Sequence, residues 1–196
     1  MVPAIWGAVV PWVPAAEPRG AEVPWAELRA LVARGAIKES KLLSHHNGKP
    51  YKDVPEQGAV LVGFDLFMTP FKESESTVRG IRAVFQTERG ELRGEIHGKH
   101  GEGVEPVAVV AKPGYAVAKV VGEFDRVAIR RLRVHFERVA GTRLDGRDEY
   151  KSEWFGAYKD RLTDKGTIDT DGSVPVGISG HSGLGLDGLR LISVNP

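Results

Sequence analysis

The 196-residue chain contains no cysteine. That removes disulfide scaffolds, thiolate zinc sites, iron–sulfur clusters and cysteine nucleophiles together, and it leaves the redox compartment undecided. The chain also lacks an excess of either charge: 27 Lys and Arg stand against 26 Asp and Glu, a net +1. Nucleic-acid binders usually carry a clear basic excess, so no nucleic-acid partner is expected. No apolar run reaches the roughly 18 residues of a membrane span, so no spanning segment is expected either. Aromatic residues are scarce, at 8%. Turn chemistry is plentiful instead, with 24 Gly and 12 Pro. Many turns and few long helices imply an all-β fold. The length fits one domain with an appendage, or two small domains.

Residues 1–16 carry no charge, and Glu17 is the first ionisable side chain. The stretch holds Trp6 and Trp12 and ends in Val13-Pro14-Ala15-Ala16. Two readings stay open. It is an apolar arm packed on the domain, or the core of a truncated signal peptide whose start lies upstream and whose basic segment is missing. The second favours an exported, extracytoplasmic location. Residues 17–45 read as a linker with a short helix over about 24–35. Pro24 suits the first helical position, and Gly35 suits the residue just past the end. Trp25, Leu28, Leu31 and Val32 share one face, which docks on the main domain.

From about residue 58 short strands alternate with turns. Val60–Met68 and Ile81–Thr87 are two, the second ending in the turn Glu88-Arg89-Gly90. Val107–Ala111 and Tyr115–Val121 flank Lys112-Pro113-Gly114 and read as a hairpin. Val127–Val139 alternates, with Leu132, Val134 and Phe136 on one side and Arg131, Arg133, His135 and Glu137 on the other. Val174–Ile178 and Leu189–Val194 close the chain. No long crossover helices intervene, so a sandwich, barrel or prism of antiparallel strands is expected rather than a parallel α/β sheet.

Most chemical motifs dissolve on inspection. Ser179-Gly180-His181-Ser182-Gly183 lacks the spacing of a nucleophile elbow and reads as a Gly-rich turn. Phosphate and dinucleotide loops are absent. His97 and His100, and the adjacent His45 and His46, sit among glycines or in loops and read as solvated histidines, not metal ligands. Asp169-Thr170-Asp171-Gly172 opens like a calcium loop but lacks its later acids, so a tight turn is expected. The arginines 126, 130, 131, 133 and 138 could meet phosphate or sulfated glycan, but Glu123, Asp125 and Glu137 dilute their field. No catalytic residue, metal or cofactor is therefore expected. What remains is the last segment, where a strand enters a Gly-rich loop and leaves it through Asp187. Glycines admit a ligand close to backbone N–H groups, and one carboxylate can accept from two neighbouring hydroxyls. Those are the parts of a sugar site.

At this point the chain resembles the jacalin-related lectins. The run Val176 to Leu189 is similar to that family's last hairpin, with Gly183 and Asp187 at the places of its Gly-x-x-x-Asp motif. Ala111-Lys112-Pro113-Gly114-Tyr115, followed by residues 126–136, resembles the central hairpin and the strand after it. Asn47-Gly48-Lys49-Pro50-Tyr51-Lys52-Asp53 resembles the opening Gly-rich loop. The resemblance covers residues 46–196. It implies a β-prism of three antiparallel Greek-key sheets with one short N-terminal helix ahead of it. It also implies metal-independent carbohydrate binding through Gly48, Gly183, Leu184, Gly185, Leu186 and Asp187. Asp187 would accept from hydroxyls, and the N–H groups of residues 184–186 would donate.

The departures carry information. Only Gly48 stands where paired glycines are usual. About 45 residues precede the match, whereas galactose-preferring members expose a processed N-terminus, so a mannose- or glucose-type ligand is favoured. The motif interior, Leu184-Gly185-Leu186, offers no aromatic platform, which implies weak affinity or a lectin-like fold that serves as a protein-interaction or structural module. The basic strand faces give it the look of a distant, bacterial-style relative. A homo-oligomer is compatible with all of this.

Overall fold

The computed structural model describes residues 23–72, 75–101, 103–157, 162 and 164–196. Residues 1–16, with Trp6 and Trp12, lie outside the described residues. One helix, Trp25–Ala33 (α1), opens the chain. Thirteen strands follow among the described residues: Ile37–Glu39 (β1), Leu43–Ser44 (β2), Lys49–Asp53 (β3), Val60–Lys72 (β4), Glu75–Thr87 (β5), Gly90–Gly98 (β6), Val107–Val110 (β7), Tyr115–Phe124 (β8), Ile129–Ala140 (β9), Arg143–Lys151 (β10), Asp164–Asp169 (β11), Pro175–Ser182 (β12) and Leu186–Val194 (β13).

They form three antiparallel sheets. The first runs β1-β13-β12-β3, with β2 also paired to β13. The second runs β6-β5-β4-β7 and the third β10-β9-β8-β11. In each of the last two, three strands joined in sequence are flanked by a fourth that returns beside the first, which is a Greek key. The three inner faces meet in one core, where Phe64, Ile81 and Phe85 of the second sheet pack with Ile129 and Phe136 of the third and Ile178 and Leu189 of the first. The fold is the expected all-β prism.

The expected helix is there, and its ends follow local chemistry. Pro24 sits one place earlier than expected, at the N-cap. At the other end Gly35 takes φ +71°, its N–H donates to the Val32 carbonyl at 3.0 Å, and Ala36 N–H donates to the Leu31 carbonyl at 2.9 Å. This is the paired C-terminal closure that a left-handed glycine permits. Leu28 and Leu31 are fully buried in a second apolar cluster with Val60, Val139, Val174 and Val194. At about 1.5–3 kcal/mol per buried leucine, this apolar contact holds the helix to the prism. Val60 begins β4, Val174 and Val176 flank the first residue of β12, and Val194 ends β13, so α1 plugs one end of the prism.

Three expectations change. Residues 37–44, assigned to the linker, supply β1 and β2, so the first sheet begins ahead of residue 46. Val107–Ala111 and Tyr115–Val121 do not form a hairpin: β7 pairs with β4 and β8 with β9 and β11. Lys112-Pro113-Gly114 therefore turns the chain from one sheet to another. His97 is not a solvated loop residue. It lies in β6, only 8% exposed, stacked on Tyr51 with ring centres 3.9 Å apart, its Nε2 3.2 Å from Asp53 Oδ2. The flanking Gly98 serves close approach instead, since a Cβ there would collide with the Arg79 carbonyl oxygen.

Candidate functional site

Opposite α1, strand ends and loops from all three sheets converge. The loop between β2 and β3 brings Gly48, and the loop between β12 and β13 brings Gly183, Leu184 and Gly185. The turn between β8 and β9 brings Val127 and Ala128, β9 itself supplies Arg130, and β5 contributes Arg79. Together with Asp187 they enclose a pocket of about 300 Å³. Of the six residues expected from sequence, five line it; Leu186 is fully buried in the core, so only its backbone is near the site. Leu184 is 78% exposed and stands at the rim. None of the lining residues is aromatic.

The glycines are there for space. Gly48 adopts φ +77°, and a Cβ there would lie 2.5 Å from Asp187 Oδ2 and would also run into the Ser182 carbonyl. The backbone of the opening loop therefore sits directly against the carboxylate. A Cβ on Gly183 would lie 3.2 Å from the same oxygen. Gly183 N–H is spent within its own loop, donating to the Gly185 carbonyl at 3.1 Å. The N–H groups of Leu184 and Gly185 find no acceptor among the described residues.

Asp187 is the second residue of β13, and its backbone carbonyl accepts from His45 N–H at 2.9 Å. The residue is 5% exposed. Burial pushes its carboxyl above the ordinary range, while Arg130, Arg79, His181 and His45 work the other way. No donor among the described residues is hydrogen-bonded to it. Asp125 behaves differently. Burial works to raise it, but the N–H groups of Ala128 and Val127 and the Arg130 guanidinium outweigh that and hold it below the usual value. Asp125 thus fixes the turn and anchors Arg130, whose Nε donates to it at 2.9 Å. The arrangement leaves one ionisable acceptor, Asp187, open to the pocket, with peptide donors and guanidinium groups around it.

Sequence reasoning missed Arg79, Val127 and Ala128, and took Arg130 for part of a solvated stripe. The stripe does divide: Arg131 pairs with Glu123 at 2.8 Å and Arg138 with Asp148 at 2.6 Å, while Arg130 turns to the pocket. Only the alternation of β9 could have separated Arg130 from Arg131 in advance. Asp169 to Gly172 forms the expected tight turn, with Asp171 at φ +50° and Gly172 at +69°. Ser179 and His181 lie within β12 rather than in a turn. Among the described residues, no group of three or more His, Asp or Glu could hold a metal ion. No described helix is long and apolar enough to cross a membrane.

The fold is that of the jacalin-related lectins, and solved structures show it. A mannose-specific jacalin-related lectin from Morus nigra superposes with a TM-score of 0.56 at 14% identity, over 80% of this chain and 94% of that one. A mannose-binding jacalin-related lectin from Ananas comosus gives 0.56 at 11%, over 81% and 98%. Malaysian banana lectin gives 0.54 at 15%, over 80% and 97%. No family model and no curated protein matches the chain. These plant structures do not bear on the bacterial affinity expected from the sequence.

Proposed function

We propose that the chain is a metal-independent carbohydrate-binding module that acts by binding and not by catalysis, and that it takes a mannose- or glucose-type ring in the pocket around Asp187. The observation that carries this is the carboxylate itself: buried, without an internal hydrogen-bond donor among the described residues, and opening onto a pocket whose glycine walls admit a ligand. A carboxylate so placed costs stability unless something donates to it, and two adjacent sugar hydroxyls supply two donors at the right separation. The peptide N–H groups of Leu184 and Gly185 complete the set. The mannose-binding lectins that share the fold support the ring type.

A glycan-array screen of the full chain beside Asp187→Ala tests this. Binding of a defined neutral glycan that disappears in the variant is the expected result. Binding that survives the substitution would move the site elsewhere. A folded chain that binds no glycan would leave the interaction-module reading. One feature favours that second reading: β7 is an edge strand whose Val107 and Val110 are exposed, a place where a partner strand could pair.

A further inference from the structure

Resting on the carbohydrate reading, we propose that the ligand of the Asp187 pocket is an acidic glycan, a sugar that carries a carboxylate or sulfate group beside its hydroxyl pair, with Arg79 as the residue that reads the anion.

Arg79 lines the pocket with Asp187, and its Nε is buried without a hydrogen-bond partner. Among the described residues it forms no salt bridge, to Asp187 or to any other carboxylate. Arg130 on the other wall is already held by Asp125. The pocket therefore presents an acceptor at one pole and an incompletely matched planar cation at the other. A neutral sugar satisfies the first and leaves the second as it was. A ring with both hydroxyls and an anionic substituent satisfies both, because the guanidinium fork matches the two oxygens of a carboxylate or sulfate. The absence of an aromatic platform points the same way, since recognition must then come from charge and hydrogen bonds.

The test is calorimetric titration of the full chain with four probes: mannotriose, a mannuronate trisaccharide, a 6-sulfated mannotriose, and single-stranded DNA of matching charge. The acidic trisaccharides should bind about tenfold tighter than mannotriose at low salt, with the advantage shrinking as salt rises. The mannuronate and sulfated arms identify which anion is read. Arg79→Gln should erase the advantage, so that acidic and neutral trisaccharides bind the variant alike, and Arg79→Lys should keep only part of it. Equal affinity for neutral and acidic trisaccharides, or an unchanged preference in Arg79→Gln, overturns this inference and leaves the carbohydrate reading standing. DNA binding as tight as the acidic sugars overturns it as well, in favour of unspecific charge attraction. Failure of every sugar probe overturns the carbohydrate reading itself. Should Arg79→Gln fail to fold, as judged by circular dichroism, Arg79→Lys alone decides.

Discussion

Two buried carboxylates sit in this prism under opposite arrangements. Asp65 is fully buried on β4 and takes three donors on one oxygen: Arg82 Nε at 2.9 Å, Arg82 Nη2 at 2.6 Å and Arg93 Nη1. Its partners stand on β5 and β6, so one acid ties three strands of the second sheet together. Asp187 is nearly as buried and has no such donors among the described residues. The first charge is closed by the protein through Oδ2 alone, its Oδ1 staying buried without a partner, while the second has no donor among the described residues and is left to be closed by something else. Burial alone does not separate a structural acid from a binding one; what separates them is whether the fold supplies the donors.

The largest expected effect lies on the closed side. Asp65→Ala leaves two arginines facing an apolar gap, and breaking a buried pair from one side costs several kcal/mol. Arg82 and Arg93 keep side-chain exposures of 25% and 40%, so water recovers part of the loss. Chemical denaturation should show destabilisation of about 3 kcal/mol with glycan affinity unchanged. If affinity also fell, the two acids would not be independent. Gly48→Ala comes next. The new methyl has to enter at φ +77° against Asp187 and the Ser182 carbonyl, which should cost about 2 kcal/mol and abolish binding together. A variant that bound normally would show that the opening loop is not the wall of the site.

Much of this was legible in the sequence, and the misses have physical causes. The alternation of Leu132, Val134 and Phe136 marked β9, and the Gly-rich loop before Asp187 marked the pocket. Strands β6 and β10 were invisible because they lie at sheet edges and are rich in exposed charge, as in Gly90–Gly98 and Arg143–Lys151; their apolar signal is too thin for a period-two reading. Pro113-Gly114 announced a turn, but a turn is local and strand pairing is not, so nothing nearby revealed that the next strand joins another sheet. Arg79 had no signature at all. It is one arginine between Val78 and Gly80, and its role depends on loops as far off in sequence as Gly48, Val127 and Gly183.

The comparison can be sharpened by pH. Burial holds Asp187 above the ordinary carboxylate value, so the unfolded chain, with its Asp near about 3.9, loses this proton first. The stability Asp187 contributes is thus fully present below the unfolded value and is lost as pH rises through the raised native one. Binding has the opposite sign, because only the ionised carboxylate accepts from two hydroxyls. Affinity should rise through the same window in which stability falls, by about tenfold per pH unit at its steepest. Asp187→Asn should flatten both profiles. An affinity that stays independent of pH as the solution is taken upward from the unfolded value of about 3.9 would mean that Asp187 is not the acceptor.

The smallest expected effect asks whether the pocket is weak for the reason its composition suggests. Leu184 stands at the rim, exposed, where stacking on a sugar face would be possible for a flat ring. Leu184→Phe adds such a ring without touching the core. Its effect on stability should stay within about 0.5 kcal/mol, as for other surface substitutions. An aromatic contact contributes about 1 kcal/mol beyond area, so affinity for the bound glycan should rise about fivefold. A gain confined to neutral sugars would place the ring over the hydroxyl pole at Asp187, and an equal gain for acidic sugars would place it between the two poles. No gain for either would mean that the glycan lies deeper than Leu184, held between Gly48 and Asp187 alone.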